Sequence, residues 1–89
     1  MHPMSKHIIL GVHITNRVQH VAQVQKVLSE YGCDIKTRLG LHEADEEYCS
    51  SNGLILLELL DNDSKKNELF AALQAIDGVE VKEMVFTHP

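Results

Sequence analysis

The side chains with the widest chemical range in this sequence are its six histidines and two cysteines. Imidazole and thiolate ligands together suit zinc, nickel or copper. We expect His13 near the end of one strand and His42 at the end of another, about 9–10 Å away across two strand spacings. Cys49, in the loop that follows, could add a thiolate. These three residues are a candidate transition-metal site, although their spacing matches no strong metal-binding motif.

A second candidate site lies at the start of the first predicted helix. Thr15 and Asn16 precede this helix, whose first backbone N–H groups have no partner within the helix and can bind a small carboxylate. Arg38 could add a charge-assisted hydrogen bond, and Gly40, near the end of the same predicted strand, completes this ligand-binding set. The alternative is that Arg38 is a surface residue paired with a nearby carboxylate.

The first strand and helix must position Thr15. Apolar and polar residues alternate from Lys6 to Ile14, which predicts a strand. Asn16 and Gln19 have the spacing of a capping box at the start of a helix. Gly32 stands where a helix C-cap favours a residue without a Cβ. The apolar residues between these ends, at helical spacing, are Val18, Val21, Val24, Val27, Leu28 and Tyr31.

The middle of the chain predicts two strands. Cys33 to His42 alternates, and the alternation places Asp34, Lys36, Arg38, Gly40 and His42 on a charged outer face that suits an edge strand. Cys33 itself is expected to be a small buried side chain. A polar, acidic segment follows and ends in a turn at Asn52-Gly53. Leu54 to Leu60 is almost entirely apolar. Its short length and flanking turn residues favour a strand buried on both faces over a helix.

The last third predicts a helix and a strand. Asp61 to Ser64 reads as a turn with an N-cap, and Asp77-Gly78 closes the helix. Val79 to Phe86 is the last predicted strand. The apolar stripe of this second helix consists of Leu69, Phe70, Leu73 and Ile76.

An internal repeat relates the two halves of the chain. Residues 31–36 and 77–82 each read as helix end, glycine, apolar, acid, apolar, lysine. Two βαβ halves in tandem predict an α+β, ferredoxin-like βαββαβ sandwich. Right-handed crossovers give an antiparallel sheet of strand order 4-1-3-2 with both helices on one face. We expect a single domain with this architecture over residues 1–89, with its core at about 6–86.

Three stretches carry a family resemblance: Val24 to Tyr31 (VQKVLSEY), Arg38-Leu39-Gly40, and Ile76 to Lys82 (IDGVEVK). Together they resemble the small ACT-like proteins assigned as regulators of the iron-only hydrogenase system, over almost the whole chain. The resemblance implies a regulatory role and a fold similar to ACT domains and to the metal-binding domain of nickel-responsive repressors. ACT domains hold amino acids near the first strand-to-helix loop, which implies an effector site at Thr15 and Asn16. The chain lacks the closely spaced His-x-His pair of the repressors' nickel site.

Charge and hydropathy exclude several partners. The net charge is −5, and no stretch gathers the lysines and arginines that direct nucleic-acid binding requires. No apolar run approaches the roughly 20 residues that span a bilayer. Met1 to His7 has no apolar segment after its charges and does not resemble a signal peptide. We therefore expect a cytoplasmic location, with no membrane and no nucleic acid as partner.

The predicted sheet has a face that two helices cannot cover, which we call the open face. Ile9 would lie on it, together with about three large aliphatic residues from the strand at 54–60 in either register. Monomers rarely leave such a patch exposed. The sequence therefore predicts a homodimer or homotetramer, formed through sheet faces or strand edges.

The sequence shows no nucleophile–base–orienter set and no phosphate-binding glycine loop, so we expect no enzymatic activity. The favoured function is a regulatory or small-ligand-sensing module that acts as a homo-oligomer. The alternatives are a transition-metal sensor and a protein–protein interaction module without a small ligand. No cofactor is assigned.

Overall fold

The computed structural model describes residues 5–41 and 53–88. The four strands form one antiparallel sheet in the order β2-β3-β1-β4, which is the predicted order 4-1-3-2 counted from the other edge. The predicted ferredoxin-like βαββαβ architecture is therefore confirmed. Within the described residues, neither helix is long and apolar enough to cross a membrane. The elements are β1 (Ser5–Ile14), α1 (Arg17–Glu30), a 3-10 turn (Gly32–Asp34), β2 (Ile35–Leu41), β3 (Gly53–Leu59), α2 (Asp63–Gln74) and β4 (Val79–His88).

The two helices begin differently. The Asn62 side chain accepts a hydrogen bond from the Lys65 N–H at 3.1 Å, which confirms an N-cap between Asp61 and Ser64. Asn16 instead adopts a left-handed conformation with φ 54°, which asparagine tolerates better than most residues. Its backbone carbonyl accepts from the Gln19 N–H at 3.0 Å, and its Nδ2 donates to Gln19 Oε1 at 2.9 Å. The expected capping box is thus replaced by a bond between the two side chains.

One apolar cluster fills the space between the sheet and the helices. Every second residue of β1 from Ile8 to Ile14 belongs to it. Both helices contribute, which confirms that they cover the same face. The buried members are Ile8, Leu10, Val12, Ile14, Val24, Leu28, Ile55, Leu57, Leu59, Leu69, Leu73, Val79 and Val81.

Strand β3 is buried on one face only. Ile55, Leu57 and Leu59 are buried, whereas Leu54 is exposed and Leu56 and Glu58 are half-buried. Within one chain, the prediction of a strand buried on both faces is wrong, because the helices cover one side of the sheet. β3 presents to the open face two leucines and one glutamate, not three aliphatic residues.

A β-bulge reverses the alternation predicted for β2. Ile35 pairs with Leu59, but Thr37 pairs with Glu58, so Lys36 is an additional residue in this strand. Thr37 and Leu39 therefore lie on the open face, and Arg38 lies on the helix side. The predicted placement of Arg38 on a charged outer face is wrong for this reason.

Cys33 is exposed and carries a free thiol. It lies in the 3-10 turn that precedes β2. The expected burial of Cys33 is wrong because the regular strand begins only at Ile35, and the turn holds the cysteine outside the apolar cluster.

Candidate functional site

The end of β1 meets the turn between α2 and β4. The Thr15 N–H donates to the Gly78 carbonyl at 2.7 Å, and Gly78 has a positive φ of 79°. His20, from the first turns of α1, packs against the same glycine. A Cβ on Gly78 would lie 2.8 Å from His20 Cδ2 and 3.1 Å from the Thr15 carbonyl oxygen. This close approach brings the predicted Thr15–Asn16 loop into contact with the start of β4.

A cleft of about 390 Å³ lies beside this contact, and we call it the corner cleft. Its volume falls in the range of small-molecule sites, about 300–1,000 Å³. The amides and the imidazole of its lining can donate and accept hydrogen bonds, and the Asp77 carboxylate can bind an ammonium or hydroxyl group. Its lining residues are Gln19, His20, Gln23, Ala75, Ile76 and Asp77. The sequence places His20 near this end of the sheet, at the first turn of the predicted helix, but it does not predict the rest of the lining, because α1 and the α2–β4 turn meet only through the tertiary fold.

Arg38 lies far from this corner. It pairs with Leu57, which in turn pairs with Leu10. The distance along β1 from Leu10 to Thr15 is about 16 Å at the usual rise per residue. The Arg38 Nη2 instead donates to Gln25 Oε1 of α1 at 2.6 Å, so its partner is an amide and not the carboxylate of the alternative interpretation.

Gly40 also lies apart from the corner. It pairs with Ile55, which pairs with Val12, about 10 Å before Thr15 along the strand. Thus the structure brings Thr15 and Asn16 to the corner and leaves Arg38 and Gly40 on β2. The ligand-binding role of all four residues stays a prediction.

The predicted metal ligands are placed only in part. His13 lies on the open face, half-buried, between Leu54 of β3 and Glu80 of β4 in the strand register. His42 and Cys49 lie outside the described residues. Over 5–41 and 53–88, no three His, Cys, Asp or Glu side chains are placed to hold one metal ion.

A second group of polar side chains surrounds Glu58, and we call it the Glu58 cluster. Its members are His7, Lys36, Thr37 and Glu58. His7 Nδ1 lies 3.2 Å from Glu58 Oε2, and Lys36 Nζ lies 3.8 Å from the same oxygen. The Thr37 hydroxyl donates to Glu58 Oε1 at 3.5 Å. The sequence pattern does not predict this cluster, because regular alternation without the bulge would place Thr37 on the helix side of the sheet.

Next to the Glu58 cluster, Lys6 of β1 forms an ion pair with Asp63 at the start of α2. Its Nζ donates to both Asp63 carboxylate oxygens, at 2.9 and 3.0 Å, and lies 3.7 Å from Asp61. The Asp63 bond raises the pKa of Lys6, and the same bond lowers the pKa of Asp63. A cleft of about 370 Å³ lies between this ion pair and the Glu58 cluster. Its charged groups are already paired with each other, so we assign it no ligand.

The Glu58 cluster predicts a measurable pH dependence. The hydrogen bond with His7, followed by the positive charge of Lys36, holds the pKa of Glu58 below its usual 4.5. A depressed carboxyl pKa stabilises the fold above the unfolded-state value, and this contribution is lost as the pH falls through the folded-state value. In an NMR titration of the carboxyl carbon, His7→Ala should raise the Glu58 pKa towards 4.5.

The control for this titration is Thr37→Val, which removes a weaker cause of the same shift and should raise the Glu58 pKa less. A Glu58 pKa that is unchanged by His7→Ala would show that the His7 contact is not formed in solution.

Several solved structures share this fold. An uncharacterized protein from Thermotoga maritima is 26% identical, with a TM-score of 0.76 over 94% of this chain and 99% of that chain. CPII, a nitrogen regulatory PII-like protein from Thiomonas intermedia K12 bound to ADP, AMP and bicarbonate, is 11% identical, with a TM-score of 0.65 over 98% of this chain and 94% of that chain.

The ACT domain from GTP pyrophosphokinase of Chlorobium tepidum is 19% identical, with a TM-score of 0.61 over 92% of this chain and 100% of that chain. No family model and no curated protein matches the sequence. The chain therefore has an ACT-like, ferredoxin-like fold that it shares with ACT domains and PII-like proteins.

Proposed function

We propose that this protein is a non-enzymatic, cytoplasmic regulatory module that senses a small ligand at the corner cleft and acts as a homo-oligomer. The observation that carries the proposal is the meeting of Thr15, His20 and Gly78 beside a cleft of about 390 Å³. The fold shared with an ACT domain and with a PII-like protein bound to nucleotides and bicarbonate supports this class of function. A role in the iron-only hydrogenase system, implied by the sequence resemblance, stays a prediction.

The corner cleft favours a small polar ligand with both signs of charge. Asp77 offers a carboxylate to an ammonium group, and Gln19 and Gln23 offer amides that donate and accept. Helix α1 begins at Arg17, two residues before Gln19 of the cleft lining, and the start of a helix can bind a carboxylate or another small anion. An amino acid has both groups, so we place amino acids first among the ligand classes and small nucleotides second.

Thermal unfolding tests the proposal directly. The probes are the twenty amino acids, ADP, AMP and bicarbonate, each added to the full chain. A ligand that binds only the folded state at about 100 times its Kd stabilises that state by about 2.7 kcal/mol. We expect at least one probe to raise Tm, and Asp77→Asn to weaken its binding by about tenfold or more, because a charge-assisted hydrogen bond is lost.

The matched control for the thermal test is a pair of glutamines on α1. Gln23 lines the corner cleft, whereas Gln25 accepts a bond from Arg38. Gln23→Ala should weaken the responding probe, and Gln25→Ala should not. The proposal is wrong if no probe changes Tm, or if both alanine variants weaken binding equally.

A second candidate function is an interaction module without a small ligand. The exposed apolar side chains of the open face, among them Leu39 and Met84, favour it. The two candidates differ in the thermal test, because an interaction module gives no shift with any of the probes.

A further inference from the structure

The open face carries apolar side chains from all four strands. The register pairs Leu39 with Leu56 and Ile9 with Met84, so each pair projects from the same side of the sheet. Leu39 and Met84 are 52% and 51% exposed. Among the side chains that the structure describes, the apolar members of this face are Ile9, Leu39, Leu54, Leu56, Met84 and Phe86.

Gly11 makes a shallow depression near the middle of the open face. It pairs with Leu56 on one side and with Lys82 on the other. A Cβ on Gly11 would meet Leu56 Cδ2 at 3.9 Å and the Lys82 carbonyl oxygen at 4.0 Å. The backbone at this point is open to an approaching side chain, and Leu56 bounds the depression with apolar surface.

The register places Glu80 and Lys82 on the open face as well. At the end of the face that carries Glu58, the charge can be covered without being left unpaired. Glu58 already contacts His7, Lys36 and Thr37 of its own chain. Removal of water from a carboxylate is costly mainly when the carboxylate has no partner. The Glu58 cluster is therefore compatible with a second layer packed over the neighbouring apolar residues.

The two edges of the sheet are less suited to association than the open face. Edge strand β2 carries Lys36 and Arg38 and is bulged, and charges and bulges both discourage strand pairing. On the other edge, Gln74 Nε2 donates to the Val79 carbonyl at 3.2 Å, and Gln74 Oε1 accepts from the Val81 N–H at 3.1 Å. The first part of β4 is thus already hydrogen-bonded along its outer edge.

The open face is large enough to form a specific dimer interface. Strands of 10, 10, 7 and 7 residues give a face of about 540 Å² at a rise of about 3.3 Å and a spacing of about 4.8 Å. Two such faces bury about 1,100 Å², just above the roughly 1,000 Å² of a specific interface. We infer that a second copy of this chain packs on the open face, sheet to sheet, in a two-fold dimer. This deepens the oligomeric part of the proposed function and does not depend on the ligand.

Adjacent residues of β4 provide the test and its control. Met84 lies on the open face opposite Ile9, whereas Val85 pairs with Ile8 on the helix side and is 44% exposed. Met84→Glu and Leu39→Glu should each raise the dimer dissociation constant by about 100-fold, because a dimer would bury two unpaired carboxylates. Val85→Glu should leave it unchanged. Sedimentation equilibrium of ligand-free protein, from about 1 to about 200 µM, measures the constant.

Circular dichroism of each variant checks that the fold is retained, which we expect since the replaced side chains are half exposed. A wild-type chain that is monomeric throughout the concentration range overturns the inference. Dissociation by Val85→Glu to the same extent as by Met84→Glu also overturns it, because association would then use the β4 edge. Neither result bears on ligand binding at the corner cleft, which the thermal test measures separately.

Discussion

Leu57→Ala is expected to lower the free energy of unfolding by about 3 to 4 kcal/mol. Leu57 is 0% exposed at the centre of β3, and it lies between Leu10 of β1 and Arg38 of β2 in the sheet. Truncation removes the buried side chain from the apolar cluster and leaves a cavity, and such substitutions cost about 2–5 kcal/mol. Urea unfolding followed by circular dichroism measures this loss.

The comparison variant is Leu54→Ala in the same strand. Leu54 is 38% exposed on the open face, so its truncation should cost less than about 1 kcal/mol within one chain. Both substitutions are best made in the Met84→Glu background, so that association does not contribute to the measured stability. Equal losses for Leu54 and Leu57 would show that β3 does not present the faces described above.

The orientation of the β3 side chains shows how much of the fold the sequence can predict. Leu54 to Leu60 predicts a strand because it is short, apolar and flanked by turn residues. Because leucines occur on both faces, the apolar pattern does not show which face is buried, and it predicts a strand buried on both. Glu58 is its only charged residue, and a charged side chain is rarely fully buried. Glu58 thus provides the signal that even-numbered residues of β3 face away from the helices.

The bulge in β2 had no comparable signal. Alternation from Cys33 to His42 is regular in residue type, and one additional residue at Lys36 moves every later side chain to the other face. Arg38 therefore bonds to Gln25 on α1 instead of lying on the open face. Sequence alternation fixes a face only where the register is uninterrupted, and an insertion of one residue is decided by tertiary packing.

The candidate site depended on the same kind of information. The Thr15–Asn16 loop was predictable, because the end of a strand, an Asn cap and a helical stripe follow one another in the sequence. The corner cleft was not, because its lining comes from α1 and from the α2–β4 turn. The repeat suggested that Gly32 and Gly78 are equivalent, but Gly78 has a positive φ, and Gly32 lies in a 3-10 turn.

Gly78→Ala is expected to lower the free energy of unfolding by about 1 to 3 kcal/mol, because a non-glycine residue in this left-handed conformation is strained. Steric crowding adds to this loss of stability, because the new methyl group would lie 2.8 Å from His20 Cδ2 and 3.1 Å from the Thr15 carbonyl oxygen. The His20 imidazole can rotate away from the new methyl group. The Thr15 carbonyl oxygen can move away only if the backbone around it shifts. Urea unfolding measures the loss, and the NMR signals of the His20 ring should shift in the folded variant.

The matched control is Gly32→Ala, at the equivalent position of the repeat. A Cβ on Gly32 would meet no atom within 4 Å among the described residues, so this variant should differ from the wild type by less than about 1 kcal/mol, and it can gain stability through a less flexible unfolded chain. Because His20 lines the corner cleft, Gly78→Ala should also weaken any ligand bound there, whereas Gly32→Ala should not. If the two alanine variants were equally stable, the left-handed turn and its contact with His20 would not be features of the folded protein.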